Sequence, residues 1–215
     1  MVKEVLEKID LQGVKGILID LDDTIYPYHI NHERAMGKCI LRCENKFQIS
    51  REDFDKYFKS ARESIHHQLS GQAASHSRLL YFQKLYELLS GMTNPDFALE
   101  MEELYWSEFL SGVAFYPGVE VFLKKAKAMG IRLCIVTDLT AQIQFRKWKG
   151  LDLGRYADFM VSSEEAGIEK PAQQIFNMAL EKLSLKANEV IMIGDNKEKD
   201  INGAEALGIR SYLVK

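Results

Sequence analysis

The sequence is short of the features that staple small secreted folds or tie a protein to membranes and polyanions. Its three cysteines, Cys39, Cys43 and Cys134, form an odd and sparse set in 215 residues. They cannot build a disulfide framework, and reduced thiols are expected. Cys39 and Cys43 share a helix face at four-residue spacing, but no further soft ligands follow at zinc-site spacing, so both are read as core residues. No apolar run reaches the roughly 18 residues of a membrane span. The segment from Met1 to Asp10 is charged and helical in pattern, unlike a secretion signal. A formal net charge of -3 gives no basic surplus for a polyphosphate backbone, and no Lys/Arg block lies beside an apolar helix. Nucleic-acid polymers and membranes are therefore not expected as partners, and the default location is cytoplasmic. Internal repeats and low-complexity tracts are absent as well.

What is present is an ordinary globular composition, 47% hydrophobic and 27% charged, enough for one sizeable core and a second, smaller unit. Gly16-Ile17-Leu18-Ile19 is a short apolar run that ends in acidic residues, the pattern of a buried parallel strand with a functional carboxyl end. Further strands are read at Leu133 to Val136, Phe159 to Val161, Val190 to Ile193 and Arg210 to Val214. Helical stretches such as Gly118 to Met129 and Ala172 to Leu183 separate them. That alternation predicts an α/β fold, a Rossmann-like doubly wound parallel sheet with right-handed crossovers. Between Pro27 and Pro117 the β-branched runs disappear and apolar residues recur at helical intervals, as in Leu79, Phe82, Leu85, Tyr86 and Leu89. A structureless loop of that length is implausible inside a compact domain. The expectation is a core of residues 1–26 and 116–215 carrying an inserted helical cap, 27–115, of four helices. Because ligands of open α/β sheets bind beyond the carboxyl ends of the strands, an insert leaving the first strand there is expected to act as a lid.

The chemistry is carried by acidic residues at strand ends. Asp20, Asp22 and Asp23, with Thr24, crowd the end of the first strand, while Asp195 and Asp200 follow the strand Val190 to Ile193. Clustered carboxylates repel one another unless a cation intervenes, so the cluster predicts a bound metal. Hard oxygen ligands without histidine or cysteine favour Mg²⁺. A carboxylate on a strand tip can attack phosphorus and form an aspartyl phosphate, dividing one difficult displacement into two; Asp20 takes this role. Asp22, two residues on in an extended segment, points the same way and can protonate the leaving oxygen and later activate water. Thr137 and Lys170, at the ends of other core segments, suit a phosphoryl group, with Pro171 expected to open a helix directly after the lysine. All five histidines fall in the insert. His29, just beyond the catalytic strand, is the one expected to touch substrate, together with Tyr26 in the hinge loop.

The ordered set Asp20-Leu21-Asp22-Asp23-Thr24, Thr137, Lys170-Pro171 and Gly194-Asp195 with Asp200 resembles the haloacid dehalogenase superfamily of phosphohydrolases. Its likeness spans essentially the whole chain and includes the helical cap. The resemblance implies Asp20 as nucleophile and Asp22 as acid/base. It implies Mg²⁺ held by Asp20, the Asp22 carbonyl and Asp195 with Asp200 behind them, and Thr137 and Lys170 on the phosphate. Within the superfamily, the stretch from Gln144 through Ser163-Glu164-Glu165-Ala166-Gly167 to Ile175-Phe176 looks like the nucleotidase and N-acylneuraminate-9-phosphatase branch. The implied substrate is a small phosphate monoester, a nucleoside monophosphate or a sugar phosphate. A phosphosugar mutase, or a non-catalytic phosphate- or partner-binding member, is the alternative. One departure stands out: that branch usually carries Thr-Asn-Gly where this chain has Thr137-Asp138-Leu139. Asp138 is placed to reach the substrate, but a carboxylate facing a dianion would repel it, so Asp138 is expected to turn toward a basic neighbour.

Overall fold

The structure, a computed structural model, describes residues 2–214; Met1 and Lys215, the ends of the sequence-based helix and core boundaries, lie outside the described residues. The chain divides into two compact units, one formed by the residues up to Tyr28 and from Val113 onward, the other by His29–Gly112.

The first unit is built on a five-stranded sheet. Helix α1 (Val2–Lys8) precedes β1 (Gly16–Ile19), and the other strands are β2 (Arg132–Thr137), β3 (Phe159–Ser162), β4 (Val190–Gly194) and β5 (Arg210–Leu213). Their order is β3-β2-β1-β4-β5 and every pairing is parallel. β1 is central and buried along its whole length, which is why it is written as the unbroken apolar run Gly-Ile-Leu-Ile instead of an alternating one. Its register sets Ile19 beside Ile135 of β2 and Ile193 of β4. The residues that follow all three strands therefore emerge together at one end of the sheet.

The second unit contains α2 (Tyr28–Phe47, starting at the seam), α3 (Arg51–Gln68), α4 (Arg78–Ser90) and α5 (Pro95–Leu110). Local chemistry delimits them. Ser50, Ser77 and Asn94 each accept a hydrogen bond from a backbone N–H in the first turn that follows, Pro95 opens α5, and Gly91 closes α4 in the left-handed conformation. Their inward faces bury Phe54, Phe82, Phe97, Met101, Tyr105, Trp106 and Phe109, each side chain contributing about 1.5–3 kcal/mol by leaving water. Cys39 and Cys43 are packed in this unit and Cys134 in the sheet; all three are free thiols. Burial pushes each up to about 12, which keeps them protonated and inert.

The remaining helices belong to the sheet-bearing unit. α6 (Val119–Ala128) precedes β2, α7 (Ala141–Gly150) follows it, and the short α8 (Ser163–Ala166) and α9 (Gln173–Leu183) lie between β3 and β4. α9 lays Ile175, Phe176, Ala179 and Leu183 onto a core shared with Leu18, Cys134, Val136 and Met192. It begins at Gln173, one residue later than the expected Ala172: Pro171 sits in the turn before the helix and does not open it. A π-helical segment at Lys197–Asn202 follows β4. No helix among the described residues is long and apolar enough to cross a membrane.

Candidate active site

Parallel strands bring their carboxyl ends to one edge, and that edge carries the polar residues. Asp20 follows β1 and is only 6% exposed. Its backbone N–H still donates to Ile193 O at 2.9 Å, which extends the sheet pairing to the carboxylate itself. Asp20 Oδ1 accepts from Lys170 Nζ at 2.5 Å and Oδ2 accepts from the Thr24 hydroxyl at 2.9 Å. Lys170 reaches from the loop ahead of α9 and is 4% exposed; its ammonium also donates to Asp200 Oδ1 at 2.6 Å and Val136 O at 3.0 Å. Asp200 is delivered by the π-helical segment, where its Oδ2 accepts from Asn196 N at 2.9 Å. Gly194, the last residue of β4, is needed for this approach, since a Cβ there would collide with the Asp200 side chain.

Asp20, Asp195 and Asp200 each offer a carboxylate oxygen, and the three oxygens lie within 4.8 Å of one another. Burial pushes the Asp20 carboxyl up to about 8, against the pull of the Lys170 ammonium and with Asp200 and Asp22 adding to the rise. Burial works against the Lys170 charge too, but Asp20, Asp200 and Asp138 outweigh it and keep the amine protonated. A buried carboxylate held near other carboxylates, with no imidazole or thiolate among the ligand atoms, fits a hard divalent cation such as Mg²⁺.

Asp22 stands differently. Lys147 of α7 donates from Nζ to both Asp22 oxygens, at 2.8 and 2.7 Å, and its side chain is 0% exposed. The Tyr26 hydroxyl donates to Asp22 Oδ1 as well. Tyr26 is therefore not where a substrate contact was expected: it is wholly buried, and its hydroxyl is spent on Asp22. His29 is exposed and belongs to the helical unit.

Thr137 closes β2 and is buried; its Oγ1 accepts from Gln144 Nε2 at 2.8 Å. The Gln144 amide also donates to Asp138 O at 2.6 Å, which pins the chain just beyond the strand. Asp138 has both carboxylate oxygens taken by donors of this unit. Its Oδ1 accepts from Lys170 N at 3.0 Å and its Oδ2 from Lys199 Nζ at 2.9 Å. Burial lowers the affinity of Lys199 for its proton, but Asp138 and Glu169 beside it raise it further. Asp138 thus ties the β2 tip to the Lys170 loop. Leu139 holds a φ of 117°, a conformation that glycine adopts freely and leucine at a cost of about 1–3 kcal/mol. Leu139 is buried, and its N–H donates to Ser163 Oγ at 2.9 Å.

Lys147 and Lys199 were not singled out by sequence reasoning, and Gln144 was named only as part of a family-like stretch, with no contact assigned. One signal was available for Lys147 and Gln144. Ile143, Gln144 and Lys147 form the buried face of α7, so the helical period places two long polar side chains where apolar ones belong.

Comparisons with known proteins bear on the family and the fold. Residues 17–214 match the haloacid dehalogenase-like hydrolase family. A ribulose-1,5-bisphosphate 5-phosphatase from Halopiger xanaduensis is 35% identical over 199 residues, covering 92% of this chain and 83% of that protein. A glyceraldehyde 3-phosphate phosphatase from Methanocaldococcus jannaschii is 28% identical over 201 residues, 94% of this chain and 85% of the relative. Among solved structures, a 2-haloacid dehalogenase from Pseudomonas syringae superposes with a TM-score of 0.72 at 22% identity, covering 93% of this chain and 86% of the other. A magnesium-bound HAD-hydrolase from Bacillus subtilis superposes with a TM-score of 0.68 at 19% identity, covering 92% and 87%. By the family match across nearly its whole length, and by a relative 35% identical over most of both chains, this chain belongs to the haloacid dehalogenase-like hydrolases.

Proposed function

We propose that the chain is a Mg²⁺-dependent phosphomonoester hydrolase acting on a small sugar phosphate through an aspartyl phosphate on Asp20. The observation that carries this reading is the setting of Asp20. It is a buried carboxylate at a strand end, fixed by Lys170 and Thr24, with Asp195 and Asp200 close enough to share a cation.

In the first step an Asp20 oxygen bonds to phosphorus, the bond to the leaving oxygen breaks, and Asp22 gives that oxygen a proton. In the second, Asp22 takes a proton from water as the water oxygen bonds to the same phosphorus, and the Asp20–phosphorus link breaks to release inorganic phosphate. Lys170 and Thr137 offer donors to the phosphoryl oxygens. Asp20, the Asp22 carbonyl and Asp195 would hold Mg²⁺, with Asp200 supporting them; the ion would neutralise charge shared by the carboxylate and the phosphate. The helical unit from His29 to Gly112 is read as the source of substrate selectivity.

Two substrate classes fit the sequence, nucleoside monophosphates and sugar phosphates. Relatives at 35% and 28% identity are named for a pentose bisphosphate and a triose phosphate, which supports the second. The test is phosphate release, with Mg²⁺, from a panel of sugar bisphosphates, triose phosphates and nucleoside monophosphates. The best sugar or triose phosphate is expected to exceed every nucleotide in kcat/KM by at least about tenfold, a difference of about 1.4 kcal/mol in transition-state binding. A nucleotide ranking first would overturn the substrate class. No phosphate from any ester would overturn the hydrolase itself.

A further inference from the structure

We propose that Lys147 is a positioning residue that acts through Asp22: its buried ammonium, with the Tyr26 hydroxyl, fixes where the Asp22 carboxyl group stands, and so governs proton delivery to the leaving oxygen. The inference rests on the hydrolase reading above.

A lysine is among the side chains least often fully buried, and burial is tolerated when its charge is paired. Lys147 is completely shielded, and its ammonium clasps both oxygens of one carboxylate. The Tyr26 hydroxyl adds a third hydrogen bond, on Oδ1, and Tyr26 is itself fully buried. The base of this clasp lies on a helix: α7 seats Lys147 beside Ile143 and Gln144 on its buried face. Gln144, one turn earlier, donates to Thr137 and to the Asp138 carbonyl. One helix face therefore sets the Asp22 carboxyl group through Lys147 and the Thr137 hydroxyl through Gln144. The ammonium also lies 5.7 Å from the centre of the Tyr28 ring, within the range of a cation–π contact.

Proton transfer requires hydrogen-bond reach of the leaving oxygen, and displacement of a catalytic group by about 1 Å can cost on the order of 10²-fold. With Lys147 gone, the Asp22 carboxyl group loses the donor common to both its oxygens and keeps only Tyr26. Phosphate binding, which uses Thr137 and Lys170, is untouched.

The test compares Lys147→Met with wild type in the Mg²⁺-loaded protein, using glycerol phosphate, whose leaving group needs a proton, and p-nitrophenyl phosphate, whose leaving group does not. We expect kcat/KM on glycerol phosphate, which reports the steps up to departure of the leaving alcohol, to fall about 10–100-fold, and kcat/KM for p-nitrophenyl phosphate to fall less than about threefold; kcat also carries the second step, in which Asp22 is the base for both esters. Equal losses of kcat/KM on the two esters, or none, would overturn the proposal, since a merely structural lysine has no reason to distinguish leaving groups. Should Lys147→Met not fold, the comparison of Asp22→Asn with the double variant Asp22→Asn, Lys147→Met decides, because the double variant leaves neither charge buried alone. Expected is agreement within about twofold on p-nitrophenyl phosphate; a further tenfold loss would mean that Lys147 acts elsewhere. Wild-type protein that hydrolyses neither ester would overturn the hydrolase reading and this inference together.

Discussion

Asp20→Asn is expected to abolish turnover. The substitution keeps the shape of the side chain and the backbone link to Ile193, so the sheet edge survives. What disappears is the charge. An amide is a poor nucleophile toward phosphorus, and its nitrogen cannot serve as a hard anionic ligand, so covalent attack and one metal contact are lost together. Where a nucleophile anchors a cooperative group of residues, its removal costs about as much as removing the whole group, here on the order of 10⁴-fold or more in kcat. The measurement is phosphate release from the best sugar phosphate, with circular dichroism to show that the fold persists. Residual activity above about 1% of wild type would mean that attack comes from another group. The Lys170 ammonium then retains Asp200 and Val136 O as partners, so the loss is not expected to come from a stranded buried cation.

Removal of the metal should be nearly as severe for activity, and it has a second signature in stability. The folded-state value of Asp20 without metal lies near 8 against an ordinary 3.8, because burial disfavours its charged form. A carboxyl raised in this way retains its proton in the folded state where the unfolded chain releases it. Its contribution therefore favours folding at low pH and is lost as pH rises from about 4 toward 8. A divalent cation binds the ionised form and reverses that loss. Metal-free protein should thus fall in Tm between pH 5.5 and pH 8, and the Tm gain on adding Mg²⁺ should be larger at pH 8 than at pH 5.5. Chelation should abolish phosphate release, and Ca²⁺, with its looser and more numerous ligands, should restore it poorly. A Mg²⁺ gain in Tm that is the same at both pH values would remove Asp20 from the ligand set. Full activity in chelator after metal stripping would contradict the metal requirement altogether.

How much of this was legible from residues alone differs from element to element. The strands were legible because a sheet buried on both faces writes itself as short apolar runs, as in Ile17 to Ile19 and Val190 to Ile193, and because the acidic residues stand at their ends. The helical unit was legible from the three- and four-residue recurrence of Leu79, Phe82, Leu85 and Tyr86. Contacts between distant segments were not. Nothing in the order of residues says that Lys147 crosses 125 positions to reach Asp22, or that Lys199 neutralises Asp138 across 61. The expectation that Asp138 would seek a cation followed from Coulomb repulsion; the identity of that cation needed the fold. Tyr26 illustrates a different gap. A loop tyrosine near a hinge reads as accessible, but the turn that follows Asp20 folds back, with Ile25 N–H donating to Leu21 O and Tyr26 pairing with Asp22, and this buries the ring. The π-helical turn after β4 was hidden as well, since its six residues carry no pattern of their own. It exists to bring Asp200 against Gly194 and Lys170.

Asp20 and Asp22 carry two different tasks in the proposed reaction, and the two fail differently when the charge is removed. An amide at Asp22 still leaves the nucleophile and the backbone carbonyl of residue 22 in place. Attack on an ester whose leaving group needs no proton can proceed, while hydrolysis of the resulting aspartyl phosphate lacks its base and slows by about two to four powers of ten. The measurement is intact-protein mass after mixing Asp22→Asn and Asp20→Asn with p-nitrophenyl phosphate and Mg²⁺ and quenching in acid. An added phosphoryl mass is expected in Asp22→Asn and none in Asp20→Asn; an adduct in Asp20→Asn but none in Asp22→Asn would contradict this division of roles.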